Sequence, residues 1–180
     1  MKLKDKVAVI TGAGSGLGRA IALRFAAEGA RIVIAELNEA KGEEVLREVQ
    51  ATGVEAFAVP TDVSNSAAVT SLFQALDDRG WPVDILVNNA GNAGQLTPVH
   101  QMTDEQWHGV VHVHLSGTFY CTREAIKRML AQGRGGAVIN LGSVAGLRGL
   151  PGGSSYTAAK GGIISFTKGV AQEYAAQGIR

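Results

Sequence analysis

Short apolar runs alternate along the whole chain with longer segments in which apolar residues recur at helical spacing. The short runs have the length of β-strands, and the longer segments have the length and period of amphipathic helices. The predicted strands are residues 7–10, 31–35, 54–59, 83–87 and 137–141, and the predicted helices are 16–28, 39–51, 67–78, 104–131 and 155–176. Most of the strands are apolar throughout, which indicates that helices cover both of their faces.

This order predicts an α/β fold, a doubly wound parallel sheet between two layers of helices, in a single domain over residues 1–180. Ligands of such sheets bind beyond the carboxyl ends of the strands, where the strand order reverses. The loops after the first, fourth and fifth strands are therefore the candidate site. We interpret residues 142–153 as a loop within the domain, and 92–101 as a surface loop near the substrate.

Charge and composition limit the kinds of ligand. The chain has 17 basic and 16 acidic residues, a balance that gives no general attraction to nucleic acid or to an anionic membrane and favours a small molecule. Its single cysteine, Cys121, cannot form an internal disulfide. The first apolar run breaks at Thr11 and Gly12, too early for a signal peptide or a membrane span. We therefore expect a cytoplasmic protein.

A glycine-rich turn joins the first strand to the first helix. Glycines permit a tight turn and a close approach of the backbone to a pyrophosphate, which the helix N-terminus binds through its free N–H groups. The expected dinucleotide contacts in this turn are Gly12, Ser15, Gly16, Leu17 and Gly18. The spacing is G-x-x-x-G-x-G rather than the more familiar G-x-G-x-x-G. A turn whose glycines serve packing alone is the alternative.

Glu36 ends the second strand about twenty residues after the turn, where an acidic side chain can accept a hydrogen bond from a ribose 2′-hydroxyl. A carboxylate there would repel the 2′-phosphate of NADP, and no basic residue stands nearby to bind that phosphate, because Ser15 and Leu37 are uncharged and Arg19 lies inside the helix. The sequence thus predicts NAD as the cofactor. A solvated carboxylate at a strand end is the alternative.

Tyr156 and Lys160 are four residues apart at the beginning of a predicted helix, so their side chains share one face. A tyrosine phenol ordinarily titrates near pH 10, and a neighbouring ammonium favours the phenolate, which suits such a pair to acid-base catalysis. Ser143 follows the fifth strand at the same edge of the sheet, and its hydroxyl could hydrogen-bond a substrate oxygen. The alternative for Ser143 is an ordinary turn serine.

With these residues in this order, the chain resembles the short-chain dehydrogenase/reductase family from end to end. The glycine turn has the family's spacing, and Ser143 stands thirteen residues ahead of Tyr156, as in the family. Asp62 and Val63 look like the family's adenine contact. The stretch after the fourth strand matches the family's N-N-A-G motif, which implies cofactor contacts at Asn89, Ala90 and Gly91.

The resemblance implies hydride transfer between a nicotinamide ring and the carbon of a small-molecule secondary alcohol or ketone, without a metal. Tyr156 would move the proton, and Lys160 would hold the nicotinamide ribose and stabilise the tyrosinate, so that both also contact the cofactor. Ser143 would position the substrate oxygen. An NADPH-dependent 3-oxoacyl-(acyl-carrier-protein) reductase resembles the chain almost as well and is an alternative. The family's usual assembly through the last two long helices implies a homodimer or homotetramer.

One residue departs from the family pattern. On the long helix the family usually has N-x-x-G, whereas this chain has His114 three residues before Gly117. In the family the asparagine helps to hold a water in the proton relay behind the lysine. A histidine can also hold a water, so His114 is a candidate catalytic residue. The alternative for His112 and His114 is a helix histidine whose hydrogen bonds are satisfied by its neighbours.

The end of the chain carries a further expectation. Gly178 ends the last helix, and Ile179 and Arg180 look like the first residues of another strand. Family members continue through two more strands, so the resemblance implies a form truncated at the C-terminus, whose fifth strand lies at an exposed edge of the sheet. A fragment that binds the cofactor without turnover is therefore another alternative.

Overall fold

The structure, a computed structural model, describes residues 1–180 as a parallel sheet with helices on both faces. The strands are β1 (Val7–Thr11), β2 (Arg31–Glu36), β3 (Ala56–Pro60), β4 (Ile85–Asn88) and β5 (Ala137–Asn140). Their order is β3-β2-β1-β4-β5, and every neighbouring pair is parallel. The chain runs outward from β1 to β3 and then returns to place β4 beside β1. The strand order therefore reverses at the carboxyl ends of β1 and β4, and the predicted fold is confirmed.

Seven α-helices connect and cover the strands. They are α1 (Gly16–Ala27), α2 (Glu39–Gln50), α3 (Ser66–Asp77), α4 (Asp104–Val111), α5 (Gly117–Gln132), α6 (Ala145–Arg148) and α7 (Ser154–Tyr174). Asparagine side chains cap α2 and α3. Thr103 and Gln106 bond each other's backbone N–H groups at the start of α4, which forms a capping box. None of these helices combines the length and the apolar character that crossing a membrane requires.

Two apolar clusters form the core, one on each face of the sheet. Alternate residues of β1 point to opposite faces, so that Ala8 and Ile10 pack with α1 and α2 while Val7 and Val9 pack with α3 and α5. Cys121 lies inside the second cluster, where burial raises the pKa of its thiol to about 12. It is therefore a small buried apolar side chain rather than a nucleophile.

Some local structure differs from the sequence prediction. The predicted helix over 104–131 is interrupted by a π-helical turn, His112–Ser116, between α4 and α5. The predicted loop over 142–153 contains the short helix α6, and the loop over 92–101 ends in a 3₁₀ turn, Val99–Gln101. β5, by contrast, is only partly buried, as expected for a strand at an exposed edge, because only a short pairing covers its outer side.

That short pairing confirms the strand-like end of the chain. Gly136 forms an isolated parallel bridge with Ile179, and the N–H of Val138 donates to the carbonyl of Arg180 at 2.8 Å. Ile179 is buried against the core, whereas Ile139 of β5 remains exposed. Ile179 and Arg180 therefore lie beside β5 in the direction of a sixth parallel strand.

Candidate active site

Two adjoining cavities lie at the carboxyl edge of the sheet. The first, which we call the turn cavity, has a volume of about 430 Å³ and lies beside the glycine-rich turn. Ten of the predicted cofactor residues line it: Gly12, Ser15, Gly16, Leu17, Glu36, Asp62, Val63, Asn89, Ala90 and Gly91. The other four lining residues, Leu37, Thr61, Asn92 and Val113, are not among the predicted cofactor contacts.

The turn requires glycine at different positions for different structural reasons. Gly16 has a left-handed φ of +53°, and a Cβ there would meet no atom within 4 Å, so its backbone borders open space. A Cβ at Gly12, where φ is +62°, would lie 2.8 Å from the Cα of Ala90. A Cβ at Gly18 would lie 2.2 Å from the carbonyl oxygen of Gly12. Gly12 and Gly18 thus permit close packing, and Gly18, unlike the other predicted turn contacts, does not line the cavity.

The N-terminus of α1 offers free hydrogen-bond donors to the turn cavity. The first helical bond runs from the N–H of Arg19 to the carbonyl of Ser15 at 3.1 Å, and the three preceding N–H groups, those of residues 16–18, donate to no protein atom. The Ser15 side chain makes no capping bond, and the first turn contains no acidic residue. Free N–H groups at the positive end of a helix form an anion-binding site, so these residues fit the pyrophosphate of a dinucleotide.

The carboxylate of Glu36 is fixed above the turn. It accepts hydrogen bonds from the N–H of Gly14 at 2.9 Å and from the N–H of Asn38 at 3.0 Å. A Cβ at Gly14 would lie 2.7 Å from the Cγ of Glu36, so only glycine leaves room for this contact. Arg19 is paired with Glu48, and no lysine or arginine lines the turn cavity. The charge at this end of the cavity is therefore negative.

Thr11 and Asn89 tie the glycine turn to the loop after β4. The amide of Asn89 donates to the carbonyls of Thr11 at 2.9 Å and Gly12 at 3.1 Å, while the Thr11 hydroxyl accepts from the backbone N–H groups of Asn89 and Ala90. Asn89 therefore shapes the cavity wall as well as lining it. The role of Thr11 in this link was not predicted from the sequence.

The second cavity, which we call the tyrosine cavity, has a volume of about 660 Å³. It shares Leu17, Asn89, Gly91 and Asn92 with the turn cavity, so the two are continuous. The side chains of Tyr156, Lys160 and His114 all line it. The structure thus brings together three of the four predicted catalytic residues at the edge of the turn cavity.

Ser143, the fourth predicted catalytic residue, does not line the tyrosine cavity, although its neighbour Gly142 does. The half-buried Ser143 follows β5, and its Oγ accepts a hydrogen bond from the N–H of Ala145 at 3.1 Å. This bond uses a lone pair of the hydroxyl and leaves its hydrogen available to another acceptor.

Lys160 is held by the end of β5. Its side chain is buried on α7, one helical turn after Tyr156, and its Nζ donates to the carbonyl oxygen of Leu141 at 2.5 Å. Nζ lies 5.7 Å from the centre of the Tyr156 ring. Burial lowers the pKa of Lys160, because an ammonium is less stable away from water. The carbonyl of Leu141 and the Tyr156 ring therefore face the same cation.

His114 lies in the π-helical turn and is only 4% exposed. Its Nε2 lies 2.8 Å from the carbonyl oxygen of Asn92 and 3.1 Å from the N–H of the same residue, while its buried Nδ1 has no hydrogen-bond partner. Burial lowers the pKa of His114; the hydrogen bond to Asn92 opposes that shift, and the charge of Lys160 adds to it. The imidazole is therefore neutral near pH 7, with one nitrogen satisfied and the other not.

A polar network that the sequence analysis did not identify lies behind the catalytic candidates. The Asn88 amide donates to Thr122 of α5 at 3.0 Å and to Asn140 of β5 at 2.8 Å, and Asn140 donates to Thr167 of α7 at 2.9 Å. The sequence feature that could have indicated this network is an asparagine at the end of each of two otherwise apolar strands, β4 and β5. The network joins β4, β5, α5 and α7, and so fixes α7, which carries Tyr156, relative to the sheet.

Comparison with known proteins supplies the family. A family model described as short chain dehydrogenase matches residues 6–180. The chain is 39% identical over 178 residues to a 3beta-hydroxysteroid dehydrogenase of Mediterraneibacter gnavus, covering 99% of this chain and 64% of that protein. It is 41% identical over 178 residues to a 3-oxoacyl-(acyl-carrier-protein) reductase of Synechocystis sp., covering 98% of this chain and 71% of that protein.

Solved structures agree with the sequence comparison. The crystal structure of an NAD⁺-bound xylitol dehydrogenase matches with a TM-score of 0.94 at 33% identity, over 100% of this chain and 69% of that one. The chain therefore spans about two thirds of the length of the proteins that it matches, between 64% and 71%. Its fold, its sequence and the family model agree: the chain belongs to the short-chain dehydrogenase family, whose members are oxidoreductases that use a nicotinamide dinucleotide.

Proposed function

We propose that this protein is an NAD-dependent oxidoreductase that interconverts a secondary alcohol and a ketone. The observation that carries the proposal is the continuity of the two cavities: Tyr156 and Lys160 line one, and the open N-terminus of α1 and Glu36 line the other. Transfer of a hydride to or from a dinucleotide requires a site for the pyrophosphate, which the helix N-terminus can supply. The accompanying proton transfer requires an acid-base group beside that site, which the tyrosine–lysine pair can supply.

The residues present fit a dinucleotide. The N–H groups of residues 16–18 and the Ser15 hydroxyl would hold the pyrophosphate, and Glu36 would accept from the adenosine ribose. Asp62 and Val63 would contact the adenine. The nicotinamide half would extend past Asn89, Ala90 and Gly91 to Tyr156 and Lys160. When bound, the nicotinamide ring accepts or supplies the hydride.

The chain's own residues would move the proton. In the oxidation direction the Tyr156 oxygen takes the hydroxyl proton of the alcohol, and in reduction its hydroxyl gives a proton to the ketone oxygen. Lys160, fixed by the Leu141 carbonyl, would hold the nicotinamide ribose with its ammonium 5.7 Å from the centre of the Tyr156 ring. Ser143 would donate its free hydroxyl hydrogen to the substrate oxygen and so orient it.

Glu36 supports NAD rather than NADP. Its carboxylate is held in place by two backbone N–H groups, so it cannot swing away from an added phosphate without breaking both hydrogen bonds. No cationic side chain lines the turn cavity to neutralise that phosphate. A 2′-phosphate would therefore lie close to an uncompensated negative charge.

A second candidate function is the reduction of 3-oxoacyl thioesters carried by acyl carrier protein, which the 41% identity to the Synechocystis reductase favours. The two candidates differ in substrate and cofactor. We expect turnover of secondary alcohols with NAD to exceed reduction of an acetoacetyl thioester with NADPH. The reverse result would replace the first proposal by the second, and NADH binding without any turnover would indicate a cofactor-binding fragment.

We also propose that the protein forms a homodimer or homotetramer through α5 and α7. A partly apolar groove of about 270 Å³ runs between these helices. Its apolar lining residues are Phe119, Ile126, Leu130, Phe166, Val170 and Tyr174. Sedimentation equilibrium should give a mass of two or four chains, and Phe166→Glu should shift it toward one chain. A monomeric wild-type protein would contradict the assembly.

A further inference from the structure

Exposed leucines form part of the wall of the tyrosine cavity. Leu96 is 69% exposed, Leu150 is 41% exposed, and both line the cavity together with Leu17. Large apolar side chains that face water in a concave site are typical of a surface that binds an apolar ligand. The only ionisable side chains in the lining are the three catalytic candidates, so the remainder of the wall is uncharged.

The loops that carry these leucines are held in place. The N–H of Thr97 donates to the carbonyl of Gly152 at 2.8 Å, which joins the loop of Leu96 to that of Leu150. The Asn92 amide donates to the carbonyl of Gly109 at 2.9 Å, which joins the first loop to α4. The wall is therefore built before a ligand arrives, and the leucines keep their exposed positions because the backbone fixes them.

The second loop is also tied to the helix of the catalytic tyrosine. The N–H of Leu150 donates to the hydroxyl of Thr157 at 3.1 Å, directly after Tyr156 in α7. A Cβ at Gly153 would lie 2.7 Å from the Cδ2 of Leu150, so the leucine packs closely over the start of this helix. Leu150 is consequently placed beside the residue that would exchange the proton.

We propose that the tyrosine cavity selects an uncharged alcohol or ketone with a bulky apolar body, and that Leu96 and Leu150 determine this specificity. The inference rests on the proposed function, because it names the substrate class of the same site. Covering the leucines removes apolar surface from water, so substrates large enough to reach them gain binding. A charged group beside Leu96 and Leu150 would lose its hydration, and neither side chain offers it a partner.

Three alcohols that share one ring test the selection. Cyclohexanol is the small reference, decahydro-2-naphthol adds a second apolar ring, and 4-hydroxycyclohexanecarboxylate adds a charge. With NAD we expect kcat/KM for decahydro-2-naphthol to exceed that for cyclohexanol by at least about tenfold, and the carboxylate to be the poorest substrate. Equal or better turnover of the carboxylate would overturn the proposal.

Variants assign the selection to the two leucines. Leu96→Gln and Leu150→Gln should each reduce the ratio of kcat/KM between decahydro-2-naphthol and cyclohexanol by about fivefold. Leu147→Gln is the matched control, because Leu147, in the neighbouring helix α6, is 72% exposed but does not line the cavity. An unchanged ratio in both test variants, or the same fall in the control, would overturn the assignment.

A binding measurement separates this inference from the proposed function. The Tyr156→Phe variant keeps the cavity and removes the hydroxyl, so binding of 2-decalone to its NADH complex can be followed by NADH fluorescence without turnover. Weaker binding after adding Leu96→Gln or Leu150→Gln would support the apolar cavity even if the wild type were inactive on every alcohol. Turnover of alcohols without any preference for apolar bulk would instead overturn the inference and leave the proposed function standing.

Discussion

His114 meets Tyr156 edge to face, with ring centroids 5.2 Å apart and ring planes at 89°. The imidazole is buried, its Nδ1 has no protein partner, and burial lowers its pKa. Protonation of this histidine is therefore less favourable in the folded state than in the unfolded chain. Its ring also contacts Tyr156, the residue that we propose as acid and base. Its effect can be measured in stability as well as in activity.

The pH dependence of the free energy of unfolding should report the lowered pKa of His114. The unfolded chain takes up the proton near pH 6.5, whereas the folded protein takes it up only at lower pH. Between the two pKa values the unfolded state binds more protons, so the free energy of unfolding decreases as pH falls, by up to about 1.4 kcal/mol per pH unit. Denaturant titrations from pH 7.5 downward should show a smaller decrease for His114→Asn. The exposed His100→Asn is the control, and equal slopes in all three proteins would refute the assignment.

Gly91 and His114 should be energetically coupled. A Cβ at Gly91 would lie 2.3 Å from the Cε1 of His114, so Gly91→Ala forces the two apart and should cost about 2 kcal/mol of unfolding free energy. In the His114→Asn background the shorter side chain leaves more room, and the same substitution should cost less. The double-mutant cycle, measured by urea denaturation, should give at least about 0.5 kcal/mol of coupling. Additive effects would show that another contact excludes the methyl group.

Removing the charge of Glu36 should relax cofactor discrimination. Glu36→Gln keeps an oxygen for the Gly14 N–H and removes the repulsion of a 2′-phosphate. We expect the ratio of kcat/KM for NAD over NADP to fall by at least about tenfold, the equivalent of 1.4 kcal/mol. Glu39→Gln, at the first residue of α2 and outside the cavity lining, is the matched control. A wild type that prefers NADP would contradict the role of Glu36.

Glu124 should stabilise the fold. Its buried carboxylate accepts from Lys127 at 2.8 Å and from Arg128 at 3.1 Å, and Arg128 also bonds Asp77. Glu124→Ala leaves the half-buried Arg128 without this partner and should cost about 3 kcal/mol in urea denaturation. The exposed Glu43→Ala on α2 should cost less than about 0.5 kcal/mol. If the two variants were equally stable, the network would contribute nothing to the fold.

The same carboxylate predicts a loss of stability in acid. Burial opposes ionisation of Glu124, but the hydrogen bonds from Lys127 and Arg128 outweigh it and lower the pKa. Because the pKa of Glu124 is lower in the folded state, its carboxylate stabilises the folded protein at pH values above the pKa of the unfolded chain, about 4.5. This stabilisation is lost as the pH falls through the pKa of the folded state. Glu124→Gln should therefore show a shallower decrease of unfolding free energy below pH 4.5 than the wild type. Parallel curves would contradict the lowered pKa.

The sequence predicted the sheet and the turn because their signals are local. Strands covered on both faces are apolar throughout, and the glycines of the β1–α1 turn are required by φ angles and close contacts within a few residues. Most residues that line the turn cavity could be predicted once the strands were placed, because the carboxyl ends of parallel strands meet at one edge of the sheet.

What the sequence could not predict depends on contacts between distant segments. The π-helical turn at His112–Ser116 has no residue signature of its own, and it places His114 against Tyr156, which lies 42 residues later. Ser143 follows β5 as predicted, yet its hydroxyl bonds the start of α6, a helix hidden in a glycine-rich segment.

The measurement that tests the central claim most directly is spectroscopic NADH formation from NAD and a secondary alcohol, with wild type and Tyr156→Phe compared side by side. NADH affinity, measured on both by fluorescence, is the control for an intact cofactor site. We predict that the wild type forms NADH and that Tyr156→Phe lowers kcat by at least about 100-fold, with NADH affinity retained. A variant as active as the wild type, or a wild type that binds NADH without turning over any alcohol, would contradict the proposed function.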